Sequence, residues 1–318
     1  MSHTVAVLGT RYPDLSVEEA VFAGLDVRLV TGDGADADAI VAAAGDAAIV
    51  LCGSRPRFDA DVLSRLSCRG IVRYGIGTDS IDLDAARHEG MWVARVSDYG
   101  TEAVAVHALA LAMAGFRRVV ASDRWVRAGN WGFEHLRPLH LPSASTAAVV
   151  GYGRIGRYTA GLFSAVGFRV LVHDPWADAV EAGHELVADL GDLLAAADIV
   201  SLHAPGDASG APLLGADELA RCRPGSVLVN TARGSLIDPD ALVAALQQGR
   251  PAIAALDVHA TEPVDAARYD AVADQVVLTP HTAWYSEESE HDMRLKAAQA
   301  AAAILRGERP ADVVVDPT

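Results

Sequence analysis

Short runs of apolar residues alternate with alanine-rich stretches along almost the whole chain. Five such runs lie in the first hundred residues: "TVAVLG", "DVRLVTG", "AAIVLCG", "GIVRYG" and "MWVARV". Six more lie between residues 147 and 280: "AAVVG", "RVLVHD", "DIVSLH", "SVLVNT", "AIAALDV" and "QVVLTP". Fully apolar strands, each followed by a helix-like segment, are typical of parallel sheets covered by helices on both faces. The pattern therefore predicts an α/β protein with doubly wound parallel sheets.

The length and the order of these elements predict two domains. A chain of 318 residues is long enough for two separate cores. A helix is expected over residues 101–118, an irregular stretch follows to about 145, and a terminal helix is expected over 287–306 after Ser286-Glu287-Glu288. The terminal helix would return the chain to the first sheet. We therefore expect a discontinuous domain of residues 1–99 and 286–318, with residues 100–285 inserted.

Composition narrows the possible partners. The formal net charge of −16 repels nucleic-acid phosphates. The most apolar stretch, "EAVAVHALALAMAGF", is shorter than the roughly 20 residues of a membrane span, and no signal peptide is visible, so we expect a cytoplasmic protein. Cys52, Cys68 and Cys222 lack a CxxC pattern and are expected to be free or buried thiols. No metal site is expected.

A glycine-rich turn carries the most specific signal. In "AAVVGYGRIGRYTAGLFSAVGFRVLVHD" a strand leads into Gly151-x-Gly153-x-x-Gly156, a helix follows, and a second strand ends at Asp174, 18 residues after Gly156. Such a turn brings backbone N–H groups and a helix N-terminus to a pyrophosphate. Asp174 would bind the ribose hydroxyls of NAD and would repel the 2′-phosphate of NADP. Glycine turns without a ligand also occur, but the full strand–helix–strand context favours NAD.

Three polar residues follow other predicted strands. Arg233 lies in "SVLVNTARGSLID", Glu262 in "AIAALDVHATEP" and His281 in "LTPHTAWYSEES". Since ligands of open parallel sheets bind beyond the carboxyl ends of the strands, all three are expected on the same rim as the glycine turn. Each alone is more often a surface or loop residue. Together they match the reduction of a 2-keto acid, which needs a cation for the carboxylate, a proton donor and an acid that favours the protonated histidine.

These motifs, in this order, resemble the D-isomer-specific 2-hydroxyacid dehydrogenases. The resemblance covers nearly the whole chain and also includes "RYGIGTDSIDL", "VHDPW" and "SLHAP". It implies a Rossmann NAD-binding domain inserted into a flavodoxin-like substrate domain, with the active site in the cleft. It further implies a small 2-keto or 2-hydroxy acid substrate and a homodimer, with a dimerisation arm near residues 119–145.

The resemblance also assigns site residues. The catalytic positions are Arg233, Glu262 and His281, with His281 as general acid and base. The cofactor positions are Gly151, Gly153, Arg154, Ile155, Gly156, Asp174, His203, Ala232 and Asp257. Among them, Ala232 and Asp257 would contact the nicotinamide amide. The substrate positions are Arg73, Ile76, Gly77 and Trp284. Apart from the resemblance, Tyr74, Trp284 and Tyr285 suggest a substrate pocket with aromatic walls.

Within the family, "TPHTAWYSEES" and "RYGIGTDSIDL" are similar to the C-terminal-binding-protein branch. There an arginine at the position of Arg73 assists the substrate carboxylate, and a tryptophan at the position of Trp284 lines the pocket. The alternatives are a solvent-facing Arg73 and a Trp284 that packs at the domain hinge. Because Gly75-x-Gly77 lacks a third glycine, it is either a substrate-facing loop or a purely structural one. Ala103 and Val106 replace acids that are frequent in relatives.

Two other functions remain open. One is an NADH-sensing scaffold with weak or no turnover, although such a scaffold has no need of an intact catalytic trio. The other is oxidation of an anion such as formate or phosphite. Formate enzymes usually carry glutamine as the partner of the histidine, so Glu262 argues against formate and leaves phosphite open.

Overall fold

The structure, a computed structural model, describes residues 3–10, 12–207 and 209–317. The chain divides into two compact units. The first unit comprises residues 1–100 and 286–318, and the second unit comprises residues 101–285. This division differs by one residue, Gly100, from the one expected from the sequence.

The described part of the chain contains strands and helices in alternation. The strands are β1 His3–Leu8, β2 Val27–Gly32, β3 Ile49–Cys52, β4 Gly70–Arg73, β5 Trp92–Arg95, β6 Thr146–Val150, β7 Arg169–His173, β8 His184–Leu186, β9 Ile199–Leu202, β10 Val227–Asn230, β11 Ile253–Leu256, β12 Val276–Leu278 and β13 Val313–Val315. The helices are α1 Ser16–Phe22, α2 Ala37–Ala44, α3 Ala60–Ser64, α4 Leu83–His88, α5 Thr101–Phe116, α6 Val119–Arg127, α7 Arg154–Val166, α8 Leu190–Ala196, α9 Ala216–Arg221, α10 Pro239–Gln247 and α11 Glu287–Leu305.

The sheet of the first unit has the strand order β13-β5-β4-β3-β1-β2. Strands β1 to β5 pair in parallel, and their order is the flavodoxin-like doubly wound order. Strand β13 adds an antiparallel edge beside β5. The apolar pattern did not predict β13, because a three-residue edge strand is too short to show a period.

Side-chain caps fix where several helices of the first unit begin. Asp36, Asp59 and Asp82 each accept a hydrogen bond from a backbone N–H in the first turn of α2, α3 and α4. Ser286 does the same for α11 by accepting from the Ser289 N–H. The start of the terminal helix predicted from Ser-Glu-Glu is thereby confirmed.

The sheet of the second unit has the order β12-β11-β10-β9-β6-β7-β8, and all its pairs are parallel. The order reverses between β6 and β9, which makes this the topological switch point where ligands of such sheets bind. Helices α5 and α7 bury apolar side chains against one face, and α8, α9 and α10 cover the other. The predicted doubly wound α/β class is confirmed.

The segment between α5 and β6 differs from the expectation. It was predicted to be irregular over 119–145, but its first nine residues form α6, which Gly129 follows in a left-handed conformation with φ +84°. The glycine, proline and tryptophan content of the later part obscured this short helix. Two 3₁₀ turns, Glu134–Leu136 and Pro142–Ala144, follow it.

Cys52, Cys68 and Cys222 are free and buried, as expected from the sequence.

Among the described residues, no single helix has the length and apolar character needed to cross a membrane, whereas α5 and α6 together pass that test as a pair bent by 55°.

Candidate active site

The predicted residues of the second unit follow the carboxyl ends of its strands. The glycine turn follows β6, Asp174 follows β7, His203 follows β9, Arg233 follows β10, Glu262 follows β11 and His281 follows β12. Because β10, β11 and β12 are neighbours in the sheet, the loops that carry Arg233, Glu262 and His281 are also neighbours. The glycine turn and the His203 loop meet at the switch point between β6 and β9.

The glycine turn fits a dinucleotide. A Cβ atom on Gly151, which has φ +92°, would lie 2.7 Å from the Ala204 nitrogen, and one on Gly156 would lie 2.0 Å from the Gly151 oxygen. A Cβ atom on Gly153 would meet no protein atom within 4 Å. The outer glycines are thus required by packing, whereas the middle one faces open space at the N-terminus of α7. Arg154 and Ile155 are the first residues of that helix.

Asp174 lies directly after β7 and is held by the turns on both sides of it. Its Oδ2 atom accepts the Tyr152 N–H at 2.6 Å, and its Oδ1 atom accepts the Trp176 N–H at 2.9 Å. The Tyr152 hydroxyl in turn lies 2.8 Å from His184 Nδ1. The carboxylate is therefore fixed beside the glycine turn, where the ribose of NAD would lie.

His203 packs behind the glycine turn. Burial lowers the pKa of its imidazole to about 4, so that the ring is neutral at physiological pH. Its Nε2 atom lies 2.8 Å from the Ser201 hydroxyl oxygen. A Cβ atom on Gly151 would lie 2.7 Å from the His203 carbonyl carbon, so the first glycine of the turn leaves room for the His203 backbone. His203 thus belongs to the packing that shapes the cofactor turn.

His281 and Glu262 form a hydrogen-bonded pair. The protonated Nδ1 of His281 donates to Oε2 of Glu262 at 2.8 Å, and the His259 backbone N–H donates to Oε1 at 3.1 Å. Partial burial of Glu262 opposes its ionisation, but the hydrogen bonds from His281 and His259 outweigh it and lower the pKa of Glu262 below its ordinary value. Both side chains remain partly exposed, 45% for His281 and 38% for Glu262.

Asp257 shapes the turn that carries His281. Its carboxylate accepts hydrogen bonds from the Thr279 hydroxyl at 2.6 Å, the Thr282 N–H at 3.0 Å and the Ala283 N–H at 2.8 Å. Its backbone carbonyl accepts the His281 N–H at 2.8 Å. These bonds hold His281 at φ +57°, a left-handed conformation that is uncommon for residues other than glycine. Asp257 was expected to contact the nicotinamide amide. Its side chain is fully buried. Its contact with the nicotinamide amide stays a prediction.

The position of Arg233 is set by its neighbours. The side chain of the buried Asn230 accepts the Ala232 N–H at 3.0 Å and donates to the Arg233 carbonyl at 2.8 Å. Arg233 Nη1 donates to the Ala232 carbonyl at 2.8 Å. Ala232 and Arg233 therefore lie on a turn that Asn230 clamps at the end of β10.

In the first unit, the loop after β4 carries most of the predicted substrate residues. Gly75 has φ +122°, and a Cβ atom there would lie 2.7 Å from Arg73 Nη1. The Arg95 guanidinium donates to the Ile76 carbonyl at 3.5 Å. The loop that ends with Gly77 thus combines a guanidinium with a tight, glycine-dependent backbone.

The structure corrects the expectation for Tyr74. The sequence suggested an aromatic wall of a substrate pocket, but Tyr74 is 2% exposed and its hydroxyl donates to Glu18 at 3.0 Å. The fully buried Glu18 also receives two hydrogen bonds from Arg294. The side chain of Tyr74 points into the first unit because this buried carboxylate needs donors. It therefore anchors the loop from inside.

Trp284 lies beside the turn that carries His281. Its indole N–H donates to the His281 carbonyl at 3.1 Å. The ring is partly buried and packs edge-to-face against Tyr285, with 5.7 Å between the ring centroids. Its contact with a substrate stays a prediction.

Sequence reasoning overlooked His259, although it lies inside the quoted motif "ALDVHATEP". A second histidine three residues after the strand end was the available signal. No group of three or more His, Cys, Asp or Glu side chains suited to a metal ion lies among residues 3–10, 12–207 and 209–317.

Comparison with known proteins assigns the chain to a family. The glycine turn, its helix and Asp174 define a dinucleotide-binding protein. The sequence model described as "D-isomer specific 2-hydroxyacid dehydrogenase, NAD binding domain" matches residues 109–283. The chain belongs to this NAD-dependent family.

Individual relatives agree with this assignment. D-3-phosphoglycerate dehydrogenase of Mycobacterium tuberculosis is 37% identical over 294 residues, which cover 91% of this chain and 55% of that protein. Glyoxylate reductase of Aeropyrum pernix is 35% identical over 268 residues, covering 81% of this chain and 80% of that one. The apo structure of Escherichia coli D-lactate dehydrogenase superposes with a TM-score of 0.84 at 28% identity, covering 98% of this chain and 100% of that one. The chain spans about half the length of the phosphoglycerate dehydrogenases it matches.

Proposed function

We propose that this chain interconverts a small 2-keto acid and the corresponding D-2-hydroxy acid with NAD. The observation that carries the proposal is the 2.8 Å hydrogen bond between His281 and Glu262, on the same edge of the sheet as the glycine turn and Asp174. When bound, NAD supplies or accepts the hydride. Substrate binding and proton transfer are carried out by groups of the protein itself.

His281 acts as the general acid in reduction and as the general base in oxidation. Its Nδ1–H is engaged by Glu262, so the other ring nitrogen, Nε2, is the atom that exchanges a proton with the substrate oxygen. The ionised Glu262 stabilises the imidazolium and fixes the orientation of the ring. General acid–base help of this kind contributes about 10² to 10⁴ in rate.

Arg233 binds the substrate carboxylate and polarises the carbonyl, since a guanidinium matches the geometry of a carboxylate. In the first unit, the backbone N–H groups of Ile76 and Gly77 and the guanidinium of Arg73 are donors of the kind that binds a carboxylate. We assign NAD binding, proton transfer by His281 and carboxylate binding by Arg233 to the second unit. We further propose that the chain forms a homodimer through the arm near residues 119–145.

The competing function is an NADH-sensing scaffold without turnover. The preserved hydrogen bond between His281 and Glu262 favours the enzyme, because binding of NADH alone does not require a proton donor at this place.

The deciding experiment is a substrate panel followed by NADH absorbance, with reduction of glyoxylate and pyruvate and oxidation of D-lactate and D-3-phosphoglycerate. We expect turnover on at least one of these pairs, and loss of turnover by about 10² or more in the H281A variant with NADH binding retained. NADH binding without turnover on any acid would favour the scaffold. Equal activity in H281A would contradict the role of His281.

A further inference from the structure

His259 lies where three loops of the second unit meet. It is the second residue after the buried Asp257, which directly follows β11, and its ring is partly buried. Through its backbone and its ring it contacts the loop after β10, its own loop after β11 and the loop after β12. Each contact lies within three residues of Arg233, Glu262 or His281.

The first contact reaches the carboxylate of Glu262. The His259 N–H donates to Oε1 at 3.1 Å, while Oε2 accepts from His281. Each oxygen of Glu262 therefore receives its own donor. With one oxygen held by the His259 backbone, rotation of the carboxylate away from His281 costs a hydrogen bond.

The second contact reaches the loop of His281. Nε2 of His259 lies 3.0 Å from the Thr279 carbonyl oxygen, two residues before His281. Since a carbonyl only accepts, Nε2 carries the proton and donates. The other ring nitrogen, Nδ1, is buried and has no hydrogen-bond partner within the described part of the chain. The ring is thus held at this place by its bond to Thr279.

The third contact reaches the loop of Arg233. A Cβ atom on Gly234 would lie 2.0 Å from the His259 carbonyl oxygen and 2.6 Å from the Ala260 nitrogen. Only glycine permits this approach, so the backbone next to Arg233 rests directly on the backbone of His259. A shift of His259 would therefore displace the Arg233 loop as well.

We infer that His259 is a positioning residue that joins the three catalytic loops and keeps Glu262 in line with His281. The inference rests on the proposed dehydrogenase function and adds to it a residue that touches neither substrate nor cofactor. A substitution of His259 can remove the hydrogen bond from its ring to the Thr279 carbonyl without changing the backbone contacts.

Two substitutions at His259 separate the hydrogen bond from the ring volume. H259F keeps a planar ring but cannot donate to Thr279, whereas H259Q places an amide N–H donor at a similar reach. We expect H259F to lower kcat by about 10-fold, with the KM for NADH changed by less than about 2-fold, because the affected loops carry the proton donor. H259Q should recover most of the lost kcat.

Gln275 provides a matched control in the same unit. Its side-chain amide donates to the Leu246 carbonyl in the last turn of α10 at 2.6 Å and to the Ala252 carbonyl just before β11 at 3.1 Å. It therefore also joins separate elements, but at the amino ends of the strands. We expect Q275L to lower the melting temperature and to leave kcat unchanged. If H259F and Q275L lost kcat in proportion to their loss of stability, the inference would be wrong.

Proton NMR tests the positioning role of His259 without any need for enzymatic turnover. The His281 Nδ1–H proton that is hydrogen-bonded to Glu262 should give a downfield proton resonance in the wild-type protein. H259F should broaden or abolish it through faster exchange with water, and H259Q should retain it. A wild-type resonance and wild-type kcat in H259F would overturn the role of His259. Absence of turnover in the wild-type protein would overturn the proposed function instead, and the resonance would still decide the positioning role.

Discussion

Nδ1 of His281 lies 2.8 Å from Oε2 of Glu262, although 19 residues separate the two along the chain. The pair is brought together because β11 and β12 are parallel neighbours whose carboxyl ends meet at one edge. Both side chains are partly exposed, and exposed ion pairs contribute little to the stability of a fold. The pair is therefore expected to contribute little to stability, which agrees with the proton-transfer role that we propose for it.

We expect the E262Q variant to reduce keto acids more slowly than the wild-type protein at neutral pH. The low pKa of Glu262 keeps its carboxylate ionised above the acidic range, where it stabilises the imidazolium. A neutral amide removes that stabilisation, so the alkaline limb of the rate profile for reduction should move to lower pH. Profiles of kcat/KM against pH for both proteins measure the shift. Superimposable profiles would show that Glu262 does not act through His281.

We expect G156A to lose NADH binding and stability. A methyl group at this position would lie 2.0 Å from the Gly151 oxygen, so the turn and α7 cannot keep their spacing. Gly161 lies in the same helix and has no heavy atom within 4 Å of its ideal Cβ. G161A should therefore stabilise the protein by about 0.5–1 kcal/mol.

Fluorescence quenching by NADH and thermal melting of both variants test this pair. An unchanged dissociation constant for NADH in G156A would contradict the close packing of the turn.

We expect the stability of the wild-type protein to fall between pH 6.5 and 4 in part because of His203. Its folded pKa of about 4 lies below its ordinary 6.5, so the unfolded state binds a proton in this range and the folded state does not. The stabilisation is present above pH 6.5 and is lost as the pH falls towards 4. The free energy of unfolding that is lost in this way is at most on the order of 3 kcal/mol, because the residue His203 as a whole is only partly buried.

Urea unfolding of the wild-type protein and H203Q across this pH range measures the effect. H203Q should show a shallower fall in stability than the wild type, while H88Q, at an exposed position in α4, should follow the wild type. Parallel curves for the wild type and H203Q would exclude His203 as the source.

We expect the arm near residues 119–145 to mediate self-association. Three of its large apolar side chains are exposed in the single chain: Trp131 at 88%, Leu141 at 65% and Phe133 at 58%. Apolar side chains exposed on one short segment are candidates for an association site. A variant with W131S and F133S should dissociate at concentrations where the wild-type protein is dimeric.

Light scattering coupled to gel filtration gives the mass of each species. Trp176 is equally exposed, at 83%, but lies outside the arm, so W176S should keep the mass of the wild type. A monomeric wild-type protein, or an unchanged mass in the double variant, would argue against the arm as the interface.

Several features followed from the sequence because each is decided within a short stretch of chain. Fully apolar strand runs predicted the doubly wound sheets, and the spacing from Gly151 to Asp174 predicted the dinucleotide turn. The start of α11 followed from Ser286 and the glutamates after it. In all these cases the physical cause, such as strand burial, a left-handed turn or a helix cap, lies within a few residues of its signal.

Other features were decided by the tertiary structure, because their cause is a partner far along the chain. Tyr74 turns inward since Glu18, 56 residues away, needs a donor for its buried carboxylate. Asp257 is enclosed by a turn that begins 22 residues later, and His259 gains its importance only where the Thr279 carbonyl and Gly234 approach it. The sequence by itself determined which strand ends carry polar residues. The direction of each side chain depended on which buried group required a hydrogen bond, and only packing of the neighbouring loops decides that.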